Sequence, residues 1–146
     1  MNKLKILIVS MIIATVVGCV EDDNYVYKLE DSHLVGEWSW VSTDGGIAGN
    51  IHHTPESIGK EITLILNIDY SYEVYEDDTL VSDGIFDLVL KDSIYSQELT
   101  VFIELTDNYS YQNVVIAGAI VSLDGQTLNI SDNFSDGVAS IFERVN

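Results

Sequence analysis

Residues 61–68 alternate without a fault. Ile62, Leu64, Leu66 and Ile68 fall on one side of an extended chain, and Glu61, Thr63, Ile65 and Asn67 on the other. Residues 97–105 repeat the pattern, with Leu99, Val101, Ile103 and Leu105 set against Glu98, Thr100, Phe102 and Glu104. Successive side chains on a strand project to opposite faces, so a period of two marks a sheet with one buried face. A helix needs apolar residues three and four apart, and no long segment supplies them. Further β-rich runs at Leu34–Ser42, Tyr70–Tyr75, Leu80–Leu90, Tyr109–Leu123, Thr127–Ile130 and Val138–Val145 give eight candidate strands. Turn chemistry divides them at Asn67–Asp69, Glu76-Asp77-Asp78, Thr106-Asp107-Asn108 and the hairpin pair Asp124-Gly125. Ser82-Asp83-Gly84 reads as a kink or bulge inside a strand. The one long connection, 43–60, holds Gly45, Gly46, Gly49 and the single proline, Pro55. Within it, Thr54-Pro55-Glu56-Ser57 suits one helical turn, with Thr54 as cap and Pro55 at the first position. Strands recurring at roughly 12 residues each with their turns predict an all-β fold, a small eight-stranded up-and-down antiparallel barrel over 34–146.

Charge narrows the partners. The 146 residues include 24 acidic and 6 basic side chains, a net charge of −18. Nucleic acid is excluded, because binding it requires Lys and Arg to neutralise phosphates. Electrostatic docking on anionic lipid is excluded for the same reason. A single cysteine rules out an intramolecular disulfide and a CxxC zinc site.

That cysteine has a telling position. Lys3 and Lys5 precede Ile6–Val17, a twelve-residue apolar run. A membrane span needs roughly 20 residues, so the run fits the apolar core of a signal peptide instead. Val16-Val17-Gly18-Cys19 then resembles the lipobox of bacterial lipoproteins. The plainer alternative is an ordinary signal peptide with a chance cysteine; the only Cys of the chain stands where the motif requires it, which favours lipidation. The resemblance implies cleavage before Cys19, a diacylglycerol on its thiol and an acyl chain on its amine, a firm membrane anchor. The expected organisation is a signal peptide over 1–18, the lipidated Cys19 and an acidic tether over 19–33, and the barrel over 34–146. Removing 1–18 takes away Lys3 and Lys5 and no acid, so the net charge goes from −18 to −20. Val20 is not the Asp that retains lipoproteins in the inner membrane. Glu21-Asp22-Asp23 resembles an export signal of some Gram-negative groups. Together they imply an outer-membrane lipoprotein exposed at the cell surface.

Leu34-Val35-Gly36-Glu37-Trp38 opens the first strand with Gly-x-Trp, and Phe142-Glu143-Arg144 closes the last with an Arg. The combination resembles the lipocalin (calycin) pattern, in which that Trp and that Arg pack together at the closed end of the barrel. The physics is sensible: glycine permits close approach, and a guanidinium stacks on an indole. Trp40–Thr43, Gly45–Gly49, Thr54–Ser57, Ser93-Ile94-Tyr95 and Leu128–Gly137 are similar to segments of uncharacterised lipocalin-like lipoproteins of Gram-negative bacteria. His52-His53 departs from that pattern. The family implies a fold, with no activity, so no catalytic residue carries over and the chain is expected to be a monomeric non-enzyme without cofactor.

Two readings follow. In the first, Trp40, Tyr70, Tyr72, Phe86 and Tyr111 point inward and line a site for a small hydrophobic or amphipathic ligand. Trp40→Ala would then weaken probe binding more than folding. In the second, the same residues fill the barrel, and the 43–60 loop presents itself to another envelope protein. Other motifs carry less. Asp132–Gly137 with Glu143 approaches a calcium loop, but Phe134 sits where an oxygen ligand belongs. His52 and His53 point opposite ways on an extended chain, so no metal site is expected. No nucleophile elbow, phosphate loop, dinucleotide fingerprint or HExxH occurs. Asp78-Thr79-Leu80 and Asp92-Ser93-Ile94 resemble short bacterial O-glycosylation sites.

Overall fold

The computed structural model describes residues 33–106 and 113–146. The segment expected to be a signal peptide, Cys19 and most of the expected acidic tether therefore lie outside the described residues, as does Tyr111. Among the described residues nine strands form one sheet. They are β1 (Gly36–Gly45), β2 (Ile51–His53), β3 (Ile62–Leu66), β4 (Ser71–Glu76), β5 (Thr79–Asp92), β6 (Leu99–Leu105), β7 (Gly118–Leu123), β8 (Thr127–Ser131) and β9 (Val138–Arg144). All pairings are antiparallel: β1 and β3 to β9 follow one another, β9 returns to pair with β1, and β2 adds to the far half of β1. The fold is thus all-β, a closed eight-stranded antiparallel up-and-down barrel. No helix of the described residues is long and apolar enough to cross a membrane.

The alternation read from the sequence sets the pleat. Ile62, Leu64 and Leu66 of β3 face in, as do Tyr72 and Val74 of β4, and all five are buried. Turn chemistry sets the register. Asp77 and Asp78 both take left-handed backbone (φ 47° and 62°), the conformation a two-residue hairpin between β4 and β5 requires. Between β7 and β8 the turn lies one residue later than expected. Asp124 N–H still pairs with Thr127 O, Gly125 and Gln126 form the loop, and Asp124 Oδ1 accepts from the amides of Gln126 and Thr127. The Asp carboxylate organises this turn from its flank instead of occupying its corner.

The long connection is folded. After β1 come a single 3-10 turn at Ile47–Gly49, then β2 on the far half of β1, then the one-turn helix α1 (Pro55–Ile58). Thr54 caps α1 through a reciprocal box with Ser57, and Gly59 ends it in left-handed backbone. The expected strand at 109–123 is shorter: β7 begins only at Gly118. Of the described residues before it, Val114–Ala117 form an unbroken apolar run, with Val114 and Ile116 buried in the core.

One end of the barrel is shut by a stack. Arg144 lies over the Trp38 ring at 4.2 Å from its centroid. The guanidinium also donates to Val35 O at 3.0 Å, to Gly125 O at 2.5 Å and to His33 O. Trp38 Nε1 donates to Leu34 O at 2.8 Å. Gly36 makes room: its φ is +150°, and a Cβ there would fall 2.1 Å from Arg144 Nη1. Gly36→Ala is therefore expected to cost about 2 kcal/mol or more in urea denaturation, from backbone strain plus loss of the stack. Gly49→Ala, where an added Cβ meets nothing within 4 Å, should cost only the left-handed penalty of about 1 kcal/mol. Equal losses would remove the steric role assigned to Gly36.

Candidate functional site

The interior is built around Trp40. A bulge in β1 between Trp40 and Ser42 shifts its pairing with β9, so Trp40 pairs with Phe142 and Thr43 with Ser140. Simple alternation would set Trp40 and Thr43 on opposite faces; the extra residue turns both inward. Trp40 Nε1 donates to Thr43 Oγ1 at 3.0 Å, and Thr43 Oγ1 shares a 2.7 Å hydrogen bond with Ser140 Oγ. Ser140 Oγ also accepts from the backbone N–H of Val115 at 2.7 Å. Every polar atom of this chain of contacts is satisfied inside the barrel, which removes the cost of burying them.

Val115 is the informative partner. Val114 and Ile116, on either side of it, are buried within the core cluster that contains Trp38, Trp40, Tyr72, Phe86 and Phe142. The segment before β7 therefore packs Val114 and Ile116 into the core, and its backbone is tied to the wall by Val115 N–H on Ser140. Its signal in the sequence is the unbroken apolar run Val114–Ala117, which lacks the alternation of a strand with one wet face.

The aromatic residues proposed for a ligand site have these positions. Trp40, Tyr72 and Phe86 are fully buried in the core. Tyr72 Oη shares a 3.2 Å hydrogen bond with Ser82 Oγ. Tyr70 sits in the β3–β4 turn with φ 65°, its ring 5.6 Å from that of Phe86, and packs against the core from its edge. None of these residues lines either of two clefts on the described surface. One, of about 520 Å³, lies against the outer faces of β7, β8 and β9. The other, of about 430 Å³, is bounded by Phe102–Leu105 with Ala117 and Gly118.

The 43–60 segment presents a different surface. Ile47 projects from its turn with 70% of its area exposed. His52 pairs with Asp44 across the β1–β2 ladder, and its Nδ1 meets Asp44 Oδ1. Ser42 Oγ donates to Asp44 Oδ2 at 2.7 Å. These hydrogen bonds, His52 first and Ser42 second, hold the Asp44 carboxyl below its ordinary value. His53 pairs with Thr43 and so takes the opposite face from His52. Among the described residues no group of three or more His, Cys, Asp and Glu side chains gathers where it could hold a metal ion. Asp132 of the calcium-like loop uses Oδ2 to accept from Val138 N at 3.0 Å, closing the β8–β9 turn. Of the two glycosylation-like triplets, Thr79 is exposed and Ser93 is buried.

No protein-family model, curated protein or solved structure matches this chain. Its chemistry is therefore read from its own geometry.

Two outcomes test that geometry. Trp40→Ala should lower folding stability by about 3–5 kcal/mol, the usual cost of deleting a fully packed indole. A loss below about 1 kcal/mol in urea denaturation would mean that Trp40 borders empty space. The depressed Asp44 pKa adds stability that is complete above the unfolded value near 3.9 and is lost as pH falls through the folded value. Asp44→Asn should therefore flatten the fall of the urea midpoint between about pH 5 and pH 3. Some slope will remain, because Ser71 holds Asp69 low and the amides of Gln126 and Thr127 hold Asp124 low. An unchanged slope would show that the Asp44–His52 contact does not form in solution.

Proposed function

We propose that this protein is a lipid-anchored, lipocalin-like envelope protein whose filled barrel is a rigid mount for protein recognition. The observation that carries this reading is the burial of Val114 and Ile116 in the same core as Trp40, Tyr72 and Phe86, with Val115 N–H on Ser140 and Trp40 tied to Thr43. A barrel of eight strands encloses either one small ligand or its own side chains, and here the chain supplies both side chains and backbone. The Gly36, Trp38 and Arg144 arrangement supports the likeness to lipocalins, and the lipobox at Cys19 supports the anchor. The recognition surface is the folded 43–60 segment, which combines an exposed Ile47 with Asp44 and Glu56. Lys60, its one basic residue besides the histidines, is taken up by Glu76. A chain of net charge −18 recruits a basic protein face, because complementary charge speeds encounter and selects partners.

The test replaces Ile47 with a photo-crosslinking residue in the full-length protein in its own cells. One discrete protein adduct should form, its yield should fall as salt rises, and the same substitution at Leu80 on the β4–β5 hairpin should give none. Native mass spectrometry of the protein extracted from those membranes should show no small-molecule adduct beyond covalent lipid. A tightly held adduct that weakens in Trp40→Ala would overturn the filled-barrel reading in favour of a barrel ligand. Equal crosslinking at Ile47 and Leu80, or none at Ile47, would remove the 43–60 surface from the proposal.

A further inference from the structure

The tip of the β5–β6 hairpin does not stand free of the barrel. Residues 93–98 fold back across the outer wall and are fastened to the β8–β9 turn. Asn133 donates through Nδ2 to Asp92 O at 3.1 Å and accepts at Oδ1 from Ile94 N–H at 2.9 Å. Tyr95 Oη donates to Phe134 O at 2.6 Å. Ser93 Oγ turns the tip by accepting from the amides of Tyr95 and Ser96 at 3.2 and 3.4 Å.

Beneath the tip the wall residues are small. Ala119 pairs with Ser131, and Ser131 with Ala139, in a row across β7, β8 and β9. Their partners along the strands, Ile130 and Ser140, face the core, so this row faces outward. Small side chains under a fastened tip leave the cleft of about 520 Å³. Its size is that of small-ligand sites, on the order of 300–1,000 Å³. Leu99 stands beside it with 66% of its surface exposed, an apolar wall that none of the described residues covers.

Two features specify the occupant. Asn129 belongs to the lining, and its Oδ1 is buried without a hydrogen-bond partner. A buried acceptor left unmade is costly, so the site calls for an N–H or O–H donor. Glu98 is the only acidic or basic residue in the lining, and the chain as a whole carries −18. That field favours a cationic donor and repels an anionic one. The apolar floor favours a carbon body over a hydrated inorganic ion.

We infer that this outer cleft binds a small organic cation. A primary ammonium draws the Asn129 side chain round so that Oδ1, closed off and unpartnered in the free protein, accepts from it, its charge lies in the field of Glu98, and its aliphatic body rests on Ala119, Ala139 and Leu99. The site lies outside the packed interior, and its edge residue Ala139 pairs with Asp44, where the 43–60 surface begins; the amides of 93–100 and 129–131 report on it apart from that surface.

Amide chemical shifts of the ¹⁵N-labelled full-length protein in detergent micelles test it, with n-butylammonium as probe and 1-butanol and butyrate as neutral and anionic counterparts of like size. Butylammonium should give saturable shifts confined to the amides of 93–100 and 129–131. Butanol should bind more weakly and butyrate not at all. Asn129→Ala should weaken butylammonium about tenfold, the loss of one charge-assisted hydrogen bond. Ala139→Leu should fill the cleft and abolish the shifts. Glu98→Gln, an exposed change that leaves the packing intact, should weaken binding several-fold, and this keeps the test open if either lining variant misfolds. Absence of saturation overturns the site. Equal response to all three probes overturns the cation assignment, as does an undiminished response in Glu98→Gln. Shifts spread over acidic turns such as Asp77-Asp78 would reduce the effect to general charge attraction and overturn the cleft.

Discussion

Backbone pairing between β1 and β9 turns a sheet of eight strands into a barrel and brings the two ends of the described chain together. An open sheet would leave two rows of unpaired amides and carbonyls, a template for aggregation. Closure satisfies them and defines an inside. It also juxtaposes Trp38 with Arg144, more than a hundred residues apart in sequence, and so makes the stack that seals one end. The same ladder carries the bulge at Val41, without which Trp40 and Thr43 could not both face inward. The seal and the polar chain inside the barrel are both consequences of how one pair of strands meets.

That polar chain explains why the interior is specific as well as apolar. Trp40, Thr43, Ser140 and the Val115 amide satisfy one another in sequence. A segment of backbone inside a barrel would ordinarily leave costly orphan groups. Ser140, which pairs with Ile130 and Thr43 on its flanking strands, supplies the acceptor that lets Val115 lie there. With aromatic side chains packed through the interior, the accessible surfaces are on the outside. There the barrel offers the folded 43–60 segment and the cleft under the β5–β6 tip, both mounted on paired strands, the kind of rigid support on which loops carry function.

Much of the fold could be read directly from residue patterns. Alternation in 61–68 and 97–105 became β3 and β6, and Thr54 and Pro55 set the start of α1 as their chemistry requires. Gly36, Trp38 and Arg144 were legible as a group only through the resemblance to the lipocalin pattern; the chemistry of glycine, indole and guanidinium explains why they pack so. The Val114–Ile116 plug was not, since an apolar run reads equally well as a strand buried on both faces. The cleft was not legible at all: Ala119, Ser131, Ala139 and Asn129 are unremarkable singly and gain meaning only as neighbours across three strands.

Local chemistry explains that division. The sequence by itself determined what depends on near neighbours: strand periodicity, turn and cap residues, and the acidic charge. Tertiary structure alone decided what depends on residues distant along the chain. The β1 bulge reassigned faces, closure set which strands became neighbours, and packing chose whether aromatic side chains would surround a space or fill it. Periodicity gives the direction of a side chain relative to its own strand. Only the closed barrel fixes what lies opposite, and here that is the Val115 amide on Ser140 in the wall and the hairpin tip above Ala119 and Ser131 outside it.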